Sequence, residues 1–258
     1  MRVRTVSFLL ALVAVAGYSL TMHADESSES KKAKKSESEK SERTQIQEAL
    51  KAFNPWIGGW RGGGQVRRGS TRGAWVEKGN FVWKFSGDTI GIQYTVDGAK
   101  HVKTGLLSWD AKEKEYTFDA ELADESKLKY RGELKKGVLT LESEPNDAGY
   151  VSQIIMRQLN EKRFLVSYKR RKKAASFYLA VGEVGYTREG TRLAASDNTG
   201  PECVVTGGAG TIRVSFKGKN YYVCCTGCRD AFNDDPEGII ESYLAELEER
   251  KNKKDSTN

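Results

Sequence analysis

The sequence predicts a mainly β protein, an antiparallel up-and-down β-barrel followed by a small α+β module. Three observations carry that expectation. Between Trp60 and Arg188 the chain is a succession of short apolar or alternating runs, with no helical period between them. The breaks between runs are turn formers such as Asp97-Gly98, Lys136-Gly137 and Asn160-Glu161-Lys162. Proline is nearly absent: Pro145 alone stands between Pro55 and Pro201, beside a break. Roughly ten strands in hairpin order favour a closed barrel, which leaves no sheet edge exposed, over a β-sandwich, the alternative.

Taken in order, the chain opens with a basic start at Arg2 and Arg4, an apolar run from Phe8 to Gly17 and a small-residue exit ending at Ala24. Residues 1–24 therefore read as a signal peptide. The run is shorter than the ~20 residues a membrane span takes, and no later segment qualifies, so no stable span is expected after cleavage. The expected location is periplasmic or secreted, a setting that permits disulfides. Cleavage takes Lys+Arg from 42 to 40 against 35 acidic residues, a net charge of +5. Residues 25–43 hold almost nothing apolar and read as a disordered charged linker.

The barrel is expected over residues 44–192. Thr44–Phe53 reads as a short helix with Ile46, Leu50 and Phe53 on one side, placed to plug a barrel end. The strands follow as Trp60–Arg67, Ala74–Phe85, Thr89–Val96, Val102–Trp109, Glu115–Leu122, Leu128–Leu134, Val138–Glu142, Val151–Gln158, Arg163–Lys169 and Ser176–Arg188. The basic run Lys169–Lys173 reads as a solvated hairpin turn, and no nucleic-acid partner is expected of an exported chain. Phe81, Trp83, Tyr94, Trp75, Trp109 and Phe118 fill the barrel as core or line a cavity for a small apolar ligand. His101, the one histidine after cleavage, reads as a surface side chain. No nucleophile–base–acid constellation appears, so the chain is not read as an enzyme.

The run Pro55-Trp56-Ile57-Gly58-Gly59-Trp60-Arg61-Gly62 resembles the opening of lipocalin-like (calycin) barrels. These begin with a short helix and a Gly-x-Trp in the first strand, and a basic residue on the last strand caps that tryptophan. The resemblance implies that Trp60 closes the barrel floor and that Arg188 lies over its face.

All four cysteines fall near the end of the chain, at Cys203, Cys224, Cys225 and Cys228. Residues 201–251 read as a compact unit: a turn with Cys203, a hairpin of Thr211–Phe216 and Tyr221–Cys224, and a short helix from Cys225 through Phe232. A second helix begins at Asp234-Asp235-Pro236-Glu237, with Ile239, Ile240, Tyr243, Leu244 and Leu247 as its apolar stripe. Thiolates from a turn, a hairpin end and a helix start suit a shared metal. The alternative is one or two disulfides, which adjacent Cys224 and Cys225 make awkward. The join at Ala194–Gly200 reads as flexible and residues 252–258 as a disordered tail.

The Cys203…Cys224-x-x-x-Cys228 spacing resembles the TRASH/YHS-like family of treble-clef metal-binding modules. The Lys217-Gly218-Lys219-x-Tyr221-Tyr222 hairpin, Phe232 and Asp235-Pro236 extend the resemblance. It implies a site for zinc or, alternatively, copper(I), the partner being the metal ion. Thr206 stands where relatives often carry a cysteine or polar residue and is a poor ligand, which leaves Cys225, a water or Asp230 for the fourth position. The expected function is that of an exported metal-binding protein, in metal handling or sensing. The alternative is a lipocalin-like module for a small molecule or partner, with a purely structural metal site.

Overall fold

The computed structural model describes residues 40–87, 89–189 and 200–255. The expected signal peptide, linker residues 25–39, most of the Ala194–Gly200 join and tail residues 256–258 lie outside the described residues.

Helix α1 (residues 40–50) runs into a 3-10 helix over Lys51–Trp56. Ten antiparallel strands follow: β1 (Gly58–Gln65), β2 (Trp75–Ser86), β3 (Thr89–Asp97), β4 (Val102–Asp110), β5 (Glu115–Leu122), β6 (Lys127–Lys135), β7 (Val138–Ser143), β8 (Tyr150–Asn160), β9 (Arg163–Lys172) and β10 (Leu179–Arg188). Each pairs with its sequence neighbour, and β1 pairs with β10, so the sheet closes into a barrel. The architecture is thus the predicted up-and-down barrel. The C-terminal module adds the hairpin β11 (Ile212–Phe216) and β12 (Lys219–Val223), then α2 (Thr226–Asp234) and α3 (Pro236–Asp255).

Alternation builds the barrel. In β2 Glu77, Gly79, Phe81 and Trp83 are buried while Val76, Lys78, Asn80 and Lys84 are exposed. The two-residue turns Lys136-Gly137 and Lys217-Gly218 have positive φ at both positions (50° and 76°; 47° and 76°), the twist that matches hairpin strands. Fully buried Trp60, Trp83, Tyr94, Phe118 and Phe164 make the interior.

One barrel end is plugged by the N-terminal helical segment. Phe53 meets Trp56 at 4.6 Å and Tyr116 at 5.0 Å between ring centroids, and Trp56 meets Phe164 at 4.8 Å. Trp60 pairs with Arg188 across β1 and β10. The Trp60 Nε1–H donates to the Trp56 carbonyl at 2.8 Å, and the Arg188 guanidinium lies 4.2 Å from the Trp60 ring. Arg188 also donates to the carbonyls of Ile57 (2.8 Å), Glu161 (2.9 Å) and Pro55. One side chain thereby ties the plug, the first strand and the β8–β9 turn together.

Several boundaries differ from expectation. The helical segment starts at residue 40, inside the expected linker, and its last turn tightens to 3-10 geometry around Pro55, which has no N–H to continue an α-helix. The basic run is not a turn. Strand β9 carries it to Lys172, with the Arg170 guanidinium 5.2 Å from the Tyr150 ring and that of Arg171 5.2 Å from the Tyr178 ring. Strand β10 begins at Leu179 and not Ser176. Helix α3 runs through Asp255, into the expected tail, because Lys251 and Lys253 suit the negative end of its dipole. Leu244 of its expected apolar stripe is 52 % exposed, whereas Ile239, Ile240 and Tyr243 pack against the core.

Candidate metal centre

The C-terminal module docks on the plugged side of the barrel, against β2. Gly227 in the first turn of α2 sits on the Trp83 carbonyl, where a Cβ would overlap the oxygen. The Trp83 main-chain N–H donates to Cys225 Sγ at 3.4 Å. Asn54 of the plug bridges the two parts: its Oδ1 accepts from Trp83 Nε1 at 3.1 Å, and its Nδ2 donates to the Thr206 carbonyl. Gln47 of α1 donates to the Val205 carbonyl at 3.0 Å.

This frame gathers three sulfurs. The Sγ atoms of Cys203, Cys224 and Cys228 all lie within 4.8 Å of one another, and all three residues are buried. Cys203 comes from a tight turn held by Gly207 N–H to the Cys203 carbonyl (2.9 Å) and Cys203 N–H to the Gly208 carbonyl (2.6 Å). Cys224 follows the end of β12, and Cys228 stands in the first turn of α2. Cys224 and Cys228 Sγ are 3.5 Å apart, well beyond the ~2.05 Å of a disulfide, and all four cysteines are free. Phe232 packs beneath, 5.8 Å from the Tyr221 ring.

Cys225 lies outside the set that closes on Cys203, although it touches the sulfurs of Cys224 and Cys228, and it accepts from the Trp83 main chain. Asp230 is exposed and paired with Arg229 at 2.8 Å, so it does not reach the sulfurs. Thr206, set aside on sequence grounds, is fully buried against them.

The electrostatics are those of crowded thiols. Hydrogen bonding from the sulfurs of Cys224 and Cys228 pulls the Cys203 thiol well down, and the same two sulfurs pull Cys225 down. The opposite sense of those contacts, with Cys203 first, pushes Cys224 up, while burial pushes Cys228 up. Placing three thiolates in so dry a site requires a cation among them. The donor set, soft and tightly spaced, fits zinc or another thiophilic ion. Pro55, Gly58, Lys162, Arg188, Gly208 and Cys224 help to line a cleft of about 620 Å³ that brings Cys224 within reach of the surface.

The opposite barrel end is open. A cavity of about 500 Å³ lies there, bordered by Lys100, His101, Tyr130, Ile154, Tyr168 and Arg170. His101 is not the expected surface side chain. Its ring lies 4.4 Å from Tyr168 and 5.4 Å from Trp75, and its Nε2 is buried with no hydrogen-bond partner. Burial first, and Lys100 second, lowers its pKa to about 4. Deeper in, the Tyr94 and Tyr186 hydroxyls meet at 2.7 Å, Tyr186 donates to buried Glu77, and Trp75 Nε1 donates to the same carboxylate at 2.6 Å. Sequence reasoning missed Glu77; its place at an inward position of an alternating strand was the available signal.

Fold and site together define a closed ten-stranded barrel carrying a buried three-cysteine cluster. No family model and no curated protein matches the chain. Among solved structures, the S-type phycobiliprotein lyase CPES of Guillardia theta aligns over 60% of this chain and 98% of its own, with 10% identity and a TM-score of 0.33, too slight a likeness to assign a function. Among the described residues no helix is long and apolar enough to cross a membrane.

Proposed function

We propose that the chain is an exported metal-binding protein, with a TRASH/YHS-like module holding zinc or another thiophilic ion and handling or sensing it outside the cytoplasm. The observation that carries this reading is the convergence of the Cys203, Cys224 and Cys228 sulfurs within 4.8 Å of one another in a buried setting. Export rests on the basic and apolar pattern of residues 1–24. The role is binding and not catalysis, and the cleft at Cys224 is the route by which an ion enters and leaves. Copper(I) is the alternative ion, since it accepts three soft ligands alone. Elemental analysis of protein purified without added metal is the test. About one ion per chain is expected, lost on Cys203→Ser, Cys224→Ser or Cys228→Ser. A wild type with no metal above background after incubation with zinc or copper(I) overturns the reading.

A second reading is favoured by the open barrel end. There His101, its unpartnered Nε2 packed against Gly182, borders a cavity with an apolar wall and a charged rim of Lys100, Asp124, Lys169 and Arg170. In this reading the barrel takes a small amphipathic ligand and the metal site only holds the module together. Native mass spectrometry of the full chain separates the two: a retained organic ligand supports the second, a retained ion alone the first.

A further inference from the structure

The hydroxyl of Thr206 completes the geometry that three sulfurs begin. Its Oγ1 lies 3.5 Å from Cys203 Sγ, 3.6 Å from Cys224 Sγ and 4.0 Å from Cys228 Sγ. A tetrahedral zinc ion with ordinary bond lengths has sulfur–oxygen edges of about 3.6 Å and sulfur–sulfur edges of about 3.8 Å. The Cys224–Cys228 edge here is 3.5 Å. Oγ1 therefore stands over the sulfur triangle as the fourth corner.

The position is held from several sides. Thr206 has no solvent exposure. Its carbonyl accepts from Asn54 Nδ2, and the adjacent Gly207 N–H closes the turn onto the Cys203 carbonyl at 2.9 Å. Asn54 is itself anchored to the barrel through Trp83 Nε1. The rival for the corner, Cys225, touches the sulfurs of Cys224 and Cys228 but lies outside the set that closes on Cys203, and it accepts from the Trp83 main chain.

We infer that Thr206 Oγ1 is the fourth ligand of the centre, giving a closed set of three thiolates and one neutral hydroxyl with no coordinated water. This rests on the proposal that the trio binds metal. It implies a preference for ions that accept a tetrahedral mixed sulfur–oxygen set, zinc and cobalt(II), over copper(I), which gains little from a hard oxygen. Asn54 is a positioning residue that fixes the Thr206 main chain from the barrel.

Cobalt(II) titration of the full chain and its Thr206→Val, Thr206→Ser and Thr206→Cys variants tests the inference. The wild type should show tetrahedral d–d absorption with sulfur-to-cobalt charge transfer. T206V should shift the d–d bands and bind cobalt at least about tenfold more weakly. T206S should restore the wild-type spectrum, and T206C should move it to a four-sulfur pattern. Superimposable spectra and equal affinities for wild type and T206V overturn Thr206 as a ligand and leave the centre standing. A wild type that takes up neither cobalt nor zinc overturns the centre itself. If T206V does not fold, magnetic resonance of the cobalt-loaded wild type in isotopically labelled water decides: coordinated solvent oxygen overturns the inference, and its absence supports it.

Discussion

The main-chain N–H of Trp83 donates to Cys225 Sγ across 3.4 Å, so a barrel strand and the cysteine module share a hydrogen bond. Trp83 N–H would otherwise face the docked module unpaired, and a buried unpaired amide costs about 1–3 kcal/mol. Cys225→Ala should therefore lower stability by about that amount while leaving metal content per chain unchanged. Cys225→Ser, whose oxygen still accepts, should be milder. Thermal melts paired with elemental analysis check both halves. Loss of bound metal in Cys225→Ser would place this sulfur among the ligands.

The close approach of Gly227 to the Trp83 carbonyl makes a second prediction. A methyl group there cannot be accommodated without moving α2 off β2. Gly227→Ala should destabilise the protein by about 1–3 kcal/mol, the range for overpacking a tight contact. Because Cys228 stands one residue further along α2, the same variant should weaken metal uptake, measured by competition with a chromogenic chelator. An unaltered melting temperature would show that the module does not press on the barrel in solution.

The barrel itself was legible because its signals are local: inward–outward alternation, two-residue turns with glycine, and the scarcity of proline. The three sulfurs were legible because all four cysteines fall in one short stretch, at a turn, a hairpin end and a helix start. What escaped depends on contacts between distant parts of the chain. The nearness of Thr206 to the sulfurs shows only when the turn that carries it closes on Cys203 and its carbonyl is held by Asn54, more than a hundred residues upstream. Glu77 and His101 are polar residues inside the barrel, and only the hydroxyls of other strands and the rings of Tyr168 and Trp75 show where they point. The basic run of β9 looked like a turn because charge usually marks solvent; here the guanidinium groups of Arg170 and Arg171, carried on a strand, lie over tyrosine rings.

Arg188 gives a third prediction. It donates to the carbonyls of Ile57, Glu161 and Pro55 and covers the Trp60 ring. Arg188→Met keeps the stem and removes every polar contact, leaving partly buried carbonyls unpaired. A loss of about 2–4 kcal/mol is expected, within the range for breaking a buried network. Arg188→Lys should recover only part of it, since one ammonium cannot span three directions as a planar guanidinium does. Chemical denaturation followed by tryptophan fluorescence measures the difference. Equal stabilities for the Lys and Met variants would assign the effect to the side-chain stem.

The last prediction concerns pH and the open barrel end. His101 has its pKa lowered from 6.5 to about 4, chiefly by burial. A histidine depressed on folding binds a proton more readily when unfolded. Stability is therefore unaffected above about pH 6.5 and falls as pH drops from there towards 4, where the folded form also takes the proton. Because the ring is only partly buried, solvent screening cuts the loss to about 1 kcal/mol, well below the full shift. His101→Gln, which cannot titrate, should flatten this limb of the stability–pH curve between pH 6.5 and 4, while the carboxylate limb below it persists. A small anionic amphiphile seated against Lys100, His101 and Arg170 would hold the imidazole protonated and raise its pKa. The wild-type curve should then flatten towards that of His101→Gln when such a ligand is added, and that convergence, followed by denaturation across the pH range, reports directly whether the cavity takes one. Identical wild-type and His101→Gln curves without ligand would show that His101 is solvated and the depression absent.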